Sequence, residues 1–302
     1  MSRFDKIINA EKSLAEISNG YYDKKIERIK DIEKALIEEY SKNCEKDITQ
    51  AERDLEEKYY STSKDVVKNM SDLMYKMMFH AQNGTGCNGI KLKGYDARNE
   101  ETFLKEILCE FNPIKICEQY KSSNELFNKM NTHLKKEEFF KENSSENWKT
   151  YAITVYYIAK FLSKFENLEE FRNVFEDINK VMPYCLPLCI KTIPGFGFAF
   201  SSDFIKEIAF EGNISFNNII KPDTHLINFI VEVFCKIDNP MQLQILCEKI
   251  AKKLDWDVFK FDKIIYLYCT LNFYRDNVNF KVNSTDRREK LISYVNGKSN
   301  KL

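Results

Sequence analysis

Residues 187–208 read PLCIKTIPGFGFAFSSDFIKEI, a segment in which two apolar stretches flank the turn Ile193-Pro194-Gly195-Phe196-Gly197. The spacing of the apolar residues predicts a short helix before this turn and a second helix directly after it. Two glycines one residue apart allow a tight reversal, with backbone N–H groups pointing outward at the start of the second helix. Such a helix start favours an anion, most often a phosphate. The segment therefore predicts a helical hairpin with a phosphate-binding backbone.

A second motif, Lys221-Pro222-Asp223-Thr224-His225, follows the hairpin after the intervening residues 210–221, FEGNISFNNIIK. Pro222 restricts the path of the chain, and Asp223 stands where an N-cap belongs, ahead of an apolar helix that includes Leu226. The residues by themselves support two interpretations of Asp223, a helix cap or a functional carboxylate.

The order of the two motifs resembles the helix-hairpin-helix Gly/Pro-Asp DNA glycosylases, with Ile-Pro-Gly-x-Gly, a helix, and then Pro-Asp-Thr-His before an apolar helix. The similarity is specific over about residues 187–230, with weaker similarity at 147–162 and 262–266. This family implies an all-helical body of two lobes with a DNA-binding cleft between them. It places the hairpin on a phosphate and the aspartate at the floor of the cleft.

The resemblance also implies roles for the matched residues. Asp223 would stabilise the positive charge that develops on the sugar as the base leaves, and would help a water molecule to attack. The hairpin would hold the DNA backbone, often with a monovalent cation bound at Gly195–Gly197. The residues expected at the DNA are Ile193, Pro194, Gly195, Phe196, Gly197, Lys191 and Lys221. Weaker candidates for the pocket of a flipped base are Trp148, Tyr151, Phe198 and His225, since aromatic residues at helical spacing more often belong to a core.

Two departures from the family narrow the expected chemistry. Members that also cleave the strand carry a lysine two residues after the second hairpin glycine, where this chain has Ala199. A Schiff-base lyase is therefore disfavoured, and a monofunctional enzyme that uses water is expected. No four-cysteine motif follows at the C-terminus, so no iron–sulfur cluster is expected. Neither is any other cofactor or side-chain metal site expected, and Cys185 and Cys189 are more simply two ordinary thiols on one helix face.

Composition predicts the fold class independently of the motifs. Glycine (9) and proline (6) are scarce among 302 residues, which leaves few breaks for long segments, and no alternating strand pattern stands out. Residues 22–60 carry apolar side chains at steps of three and mostly four, which is typical of one long amphipathic helix or two. This spacing favours packing in a helical bundle over a dimeric coiled coil. Further helices are predicted near 100–111, 113–120, 123–131, 145–164, 167–180, 184–192, 198–209, 224–237, 240–254, 257–274 and 286–296. The chain is thus expected to be all-α.

The predicted organisation has three parts. Residues 1–80 form an extra N-terminal amphipathic helical segment, and residues 81–94, rich in Gly and Asn, form a loop or linker. Residues 95–302 form the glycosylase-like domain, with the hairpin at 187–209 and the aspartate loop at 220–226. The first twenty residues have no apolar run typical of a signal peptide, and nine cysteines without an export signal favour reduced thiols. A cytoplasmic location and no membrane partner are therefore expected.

The net charge of the chain gives little indication of a nucleic-acid partner. Lys+Arg (46) equals Asp+Glu (46), while residues 182–302, which include the hairpin, hold 16 basic and 13 acidic residues. This excess matters for DNA only if the cations share one face. They are Lys249, Lys252, Lys253, Lys260, Lys263, Arg275, Arg287 and Arg288.

Three functions are compatible with the sequence. The first is a DNA glycosylase that acts on double-stranded DNA with a damaged or modified base, in repair or in attack on foreign modified DNA. The second is a DNA-binding module that kept the hairpin and lost the chemistry. The third is a helical interaction protein whose partner surface is residues 22–60.

Overall fold

Helices dominate the described part of the molecule, which confirms the predicted all-α class. A computed structural model of the chain describes residues 15–61, 66–85, 106–134, 145–211, 214–216, 218–273, 276 and 278–302. The helices are α1 (Asp23–Asn43), α2 (Ile48–Asp54), α3 (Met70–Gly84), α4 (Pro113–Gln119), α5 (Ser123–Leu134), α6 (Ser145–Leu162), α7 (Leu168–Val181), α8 (Leu186–Lys191), α9 (Phe198–Glu207), α10 (Thr224–Val233), α11 (Pro240–Leu254), α12 (Val258–Thr270) and α13 (Ser284–Val295). A π-helix follows α2 over Leu55–Tyr60, and short 3-10 turns lie at Cys109–Phe111 and Pro183–Cys185.

The described residues contain five two-residue strands that the sequence did not predict. They are β1 (Val66–Val67), β2 (Ala209–Phe210), β3 (Ile214–Ser215), β4 (Asn272–Phe273) and β5 (Val278–Asn279). Strand β2 pairs in parallel with β1 and antiparallel with β3, while β4 and β5 form a separate antiparallel pair. Strands of two residues are too short to show the alternation by which a strand is recognised in sequence.

The chain divides into two compact units, and the division differs from the predicted domains. The first unit comprises Met1–Ser63 and Asn217–Leu302, and the second comprises Lys64–Phe216. Residues 15–61 thus belong with the C-terminal third of the chain, where the sequence predicted a separate segment. Residues 86–94 of the predicted linker lie outside the described residues, and α3 extends to Gly84.

The core of the first unit explains this grouping. Helix α12 packs against α1, α10, α11, α13 and the π-helix. The apolar face of α1 closes the same core, because its side chains, spaced three and four residues apart, are at most 3% exposed. They are Ile26, Ile29, Ile32 and Leu36, followed by Tyr40. The pattern in residues 22–60 therefore marks an internal surface of the first unit.

The amphipathic pattern of residues 22–60 is split between two helices. Helix α1 ends at Asn43, Glu45 adopts a positive φ of 53°, and Asp47 caps α2 by accepting a hydrogen bond from the Gln50 amide. Ile48, which the pattern would place in the core, is 51% exposed. The turn shifts the helical phase there, and burial resumes at Ala51.

In the second unit, α6 is the central helix. It packs against α3, α4 and α5, while α9 packs against α8 and α3. Asparagine side chains cap two helices of this unit: Asn112 caps α4 and Asn167 caps α7. The unit ends in the helical pair α8 and α9, followed by β2 and β3. The stretch between α9 and Asp223 therefore contains a small antiparallel strand pair.

Candidate functional site

The turn between α8 and α9 has the conformation expected of a tight hairpin. Its internal hydrogen bonds run from the Ile193 N–H to the Ile190 carbonyl at 2.9 Å and from the Phe196 N–H to the Ile193 carbonyl at 3.1 Å. Gly195 has φ of +88°, a conformation that side chains with a Cβ rarely adopt. Gly197 is extended and stands as the N-cap of α9. Both predicted helices and the reversal between them are therefore present.

The predicted DNA-contacting residues of the turn separate into an exposed group and a buried group. Pro194, Gly195 and Gly197 are exposed, as is Lys191 at the end of α8. Ile193 and Phe196 are each only 3% exposed, and the Phe196 ring packs edge-on against Phe204 of α9. The two apolar residues anchor the turn, so the surface that a phosphate could reach is the glycine backbone and the first N–H groups of α9.

Gly195 also lies directly against α6. A Cβ at this position would collide with the Thr154 hydroxyl and would lie 3.1 Å from Thr154 Cγ2. Thr154 is fully buried, and its hydroxyl donates to the Thr150 carbonyl one turn earlier in α6. Two independent features therefore require glycine at position 195: the backbone conformation and the packing of the turn on α6.

The first turn of α9 holds Phe198, Ala199 and Phe200, all of which are half-buried. Ala199 offers no amine that could act as a nucleophile. Lys206, the one lysine of α9, is 1% exposed and lies in the last turn of the helix. Helix α9 therefore places no lysine next to the hairpin glycines.

Asp223 caps α10. Its Oδ1 atom accepts hydrogen bonds from the His225 and Leu226 amides, each at 2.9 Å, and its backbone is extended. The side chain is half-buried, and no described residue donates a hydrogen bond to its Oδ2 atom. One carboxylate oxygen is thus occupied by the helix start while the other is left for a ligand or water.

The pKa of Asp223 is set by opposing effects, since the amides at a helix N-terminus by themselves favour the ionised carboxylate. Burial raises the pKa of Asp223 above its ordinary value, and the nearby Asp262 carboxylate raises it further. The Leu226 amide, His225 and Lys221 act in the opposite direction and are outweighed. The carboxylate is therefore a stronger base than an exposed aspartate.

His225 and Lys221 flank this carboxylate in sequence. The half-buried His225 ring meets Tyr266 edge-on at 6.4 Å, and its Nδ1 atom has no hydrogen-bond partner among the described residues. Burial lowers the pKa of His225, so the imidazole is favoured in its neutral form at pH 7. The Lys221 N–H donates to Asp262 Oδ2 at 2.9 Å.

Two of the predicted pocket residues are core residues, and this corrects the sequence analysis. Trp148 is 3% exposed and packs edge-on against Tyr151, which is 1% exposed and donates its hydroxyl to the Met78 carbonyl. Side chains buried to this degree cannot stack on a base without opening the second unit. Of the four predicted pocket residues, only Phe198 and His225 are partly accessible.

Two residues that the sequence analysis missed lie next to the aspartate loop. Gln244 of α11 and Asp262 of α12 are each 2% exposed, and both bind the backbone of residues 218–221. The signal in the sequence was a carboxylate at position 262, beside Lys263, within the largely apolar helix α12. A charged residue in such a stretch needs a polar partner, but sequence does not identify the partner.

The regional charge leads to a second correction. The unit that carries the hairpin has 20 basic and 21 acidic residues, whereas residues 217–302 of the other unit have 14 and 10. The positive excess therefore does not belong to the hairpin unit.

Half of the eight basic residues considered for DNA are paired with acids or buried within the first unit. Acidic residues of α1 pair with Lys253, Lys260 and Arg287, since Lys253 contacts Asp23 at 2.6 Å and Lys260 contacts Glu33 at 2.7 Å. Lys263 is 7% exposed. These four cations are thus neutralised or buried by their own unit, and Arg275 lies outside the described residues.

The described residues contain no cluster of three or more His, Cys, Asp or Glu side chains that could hold a metal ion. Cys185 and Cys189 are both free and half-buried. None of the described helices combines the length and the apolar character needed to cross a membrane. Comparison of the chain with models of protein families, with curated proteins and with solved structures gives no match.

Proposed function

We propose that the chain is a monofunctional DNA glycosylase that hydrolyses the N-glycosidic bond of a damaged or modified base flipped out of double-stranded DNA. The observation that carries the proposal is the pairing, in one chain, of two elements. One is a tight helical hairpin with an exposed glycine backbone, and the other is the helix-capping Asp223 with one free carboxylate oxygen.

In this proposal the hairpin contributes position and not sequence recognition. The backbone at Gly195 and Gly197, with the first N–H groups of α9, would accept one DNA phosphate. Lys191, exposed at the end of α8, supplies a nearby charge. The near-neutral charge of the hairpin unit is compatible with this role, because backbone amides bind a phosphate without adding net charge.

Asp223 would supply the chemistry. The sugar becomes positively charged as the base departs, and a carboxylate close to that charge lowers the barrier. Because Oδ1 is held by two amides, Oδ2 is the atom that would face the sugar or the attacking water. The raised pKa of Asp223 suits the second task, since a more basic carboxylate takes a proton from water more readily.

Base release is expected without strand cleavage. Position 199, where a nucleophile would form a covalent link to the sugar, is occupied by alanine, which has no nucleophilic group. Duplexes that carry a panel of damaged and modified bases are incubated with the protein and scored for abasic sites, with and without alkali. We expect breaks only after alkali, so breaks without alkali would contradict the monofunctional assignment.

The replacement Asp223→Asn tests the mechanism. Asparagine caps a helix as well as aspartate does, so the variant should fold, while base release falls by about 10²–10³-fold because the charge facing the sugar is lost. DNA binding should change little. The matched control is Asp257→Asn, since Asp257 caps α12 and burial also raises its pKa. An equal loss of base release in both variants would remove Asp223 from the mechanism.

The non-catalytic DNA-binding module is the second candidate, and one observation favours it. The two amide hydrogen bonds of Asp223 account for the residue as a helix cap without any chemistry. This candidate predicts hairpin-dependent DNA binding and no abasic sites with any duplex of the panel.

The interaction-scaffold alternative loses its proposed partner surface. The apolar face of residues 22–60 packs inside the first unit, with Ile29, Ile32 and Leu36 fully buried.

A further inference from the structure

We infer that Gln244 and Asp262 are positioning residues that hold the backbone of residues 218–221 and thereby set the direction of the Asp223 carboxylate. The inference deepens the proposed function, and only the kinetic part of its test rests on that function. Neither residue belongs to the hairpin, and neither carries chemistry of its own in the proposed reaction.

Gln244 binds the loop with both ends of its amide. Its Oε1 atom accepts the Ile220 N–H at 2.9 Å, and its Nε2 atom donates to the Asn218 carbonyl at 2.5 Å. The same nitrogen donates to Glu248 Oε1 at 2.7 Å, one turn further along α11, which orients the amide. A buried side chain that satisfies two backbone groups of one loop fixes the path of that loop.

Asp262 adds a third attachment from a different helix. Its Oδ2 atom accepts the Lys221 N–H at 2.9 Å, the residue directly before Pro222 and Asp223. The side chain is only 2% exposed, and an ionised carboxylate in such a place is costly unless it binds donors. Its placement against a loop amide therefore constrains the backbone that leads to Asp223.

Burial of its side chains and a hydrogen bond within the loop restrict the loop further. Ile219 and Ile220 are each 1% exposed, and the Asp223 N–H donates to the Lys221 carbonyl at 2.7 Å. The Asp223 side chain then caps the N-terminus of α10. With the backbone held at 218, 220 and 221 and the carboxylate held at Oδ1, the position left for Oδ2 is narrowly defined.

The first test measures the loop directly and needs no catalytic activity. Amide hydrogen exchange is followed in the full chain for the peptide covering 218–226. We expect Asp262→Ala and Gln244→Leu to accelerate exchange at Ile220 and Lys221 by about tenfold or more, because each variant removes an acceptor of one of these amides. Exchange in α6 of the second unit should not change.

Asp54→Asn is the matched control for lost stability. Asp54 is a buried carboxylate of the same unit that pairs with Lys46 and Lys58 and makes no contact with the loop. It should leave exchange at 218–226 within about twofold of the parent. Unchanged exchange in Asp262→Ala, or an equal increase in Asp54→Asn, would overturn the inference.

The second test separates positioning from structure by kinetics. Asp262→Ala should lower kcat for base release by about tenfold to a hundredfold with KM changed by less than about threefold, because only the direction of Asp223 is lost. Asp262→Asn keeps an oxygen that can accept the Lys221 amide, so it should restore kcat and move the acid limb of the pH profile to lower pH.

The outcomes distinguish the inference from the proposed function. Full kcat in Asp262→Ala, together with loss of base release in Asp223→Asn, overturns the inference alone. Faster loop exchange in Asp262→Ala, together with undiminished base release in Asp223→Asn, overturns the proposed function and leaves the loop attachment established.

Discussion

At the scale of single residues, the two hairpin glycines do different work although they are one residue apart. Gly195 combines a positive φ with contact against Thr154, whereas at the extended Gly197 a Cβ would make only an ordinary van der Waals contact, with Phe200 Cδ2 at 4.0 Å. The sequence gives no means of telling the two glycines apart. Their surroundings show that the fold requires glycine at position 195, whereas the proposed requirement at position 197 is functional.

Replacing Gly195 with alanine should destabilise the protein by about 2–4 kcal/mol, since both backbone strain and overpacking against α6 are introduced. Gly197→Ala should cost less than about 1 kcal/mol, the difference between two N-cap residues. Chemical denaturation of the two variants measures this. An equal loss of stability in the two variants would mean that the packing of the turn against Thr154 does not restrict residue 195.

Asp223 illustrates a conflict between stability and function. Because its pKa is raised in the folded protein, the fold binds this proton more tightly than the unfolded chain does, and the charged form costs stability once the pH rises through that pKa. Asp223→Asn removes the charge and keeps the cap. At pH 7 we expect it to unfold at the same or a higher denaturant concentration than the parent chain.

The advantage of this variant should vanish below pH 3.8, the ordinary aspartate value, where the parent carboxyl is neutral in both states. Denaturation curves at pH 7 and pH 3 measure the difference. A variant that is clearly weaker at pH 7 would show that the charge stabilises the cap more than Asp262 and burial oppose it.

At the scale of elements, α1 is a structural part of the first unit. Leu36 is fully buried in its core, while Ile48 at the start of α2 is half exposed. Leu36→Ala should therefore cost about 2–5 kcal/mol, through lost burial and the cavity that remains, and Ile48→Ala less than about 0.5 kcal/mol. Thermal unfolding provides the measurement, and a tolerated Leu36→Ala would indicate that α1 is peripheral.

The polar attachments of this region reach the far end of the chain. Asp276 accepts hydrogen bonds from the Tyr40 and Tyr59 hydroxyls at 2.6 and 2.9 Å and pairs with Lys58 at 2.5 Å. The pairing with Lys46 and Lys58 lowers the pKa of Asp54 to about 2. Residues from α1, the π-helix and the C-terminal third thus share one network of ion pairs and hydrogen bonds, which adds to the apolar core in joining the two parts of the first unit.

At the scale of the whole molecule, equal numbers of acids and bases predict weak non-specific attraction to DNA. Binding through a few phosphates should give a plot of log K against log salt with a slope no steeper than about −3, because each neutralised phosphate contributes roughly −0.9. Titration of an undamaged duplex between low and physiological salt measures it. A slope near −8 would reveal a basic surface that the paired lysines of the first unit do not supply.

The all-α class, most described helix positions, the hairpin and the cap at Asp223 follow from the sequence alone, because periodicity, glycine spacing and cap residues act over a few neighbouring positions. Tertiary structure alone determined the rest. It joined residues 15–61 to the C-terminal third, placed Trp148 and Tyr151 in a core, paired Lys253 and Lys260 with acidic residues of α1 and raised the pKa of Asp223. Each of these depends on residues distant in sequence, such as Asp262 for Asp223, and burial and charge pairing are properties of such contacts.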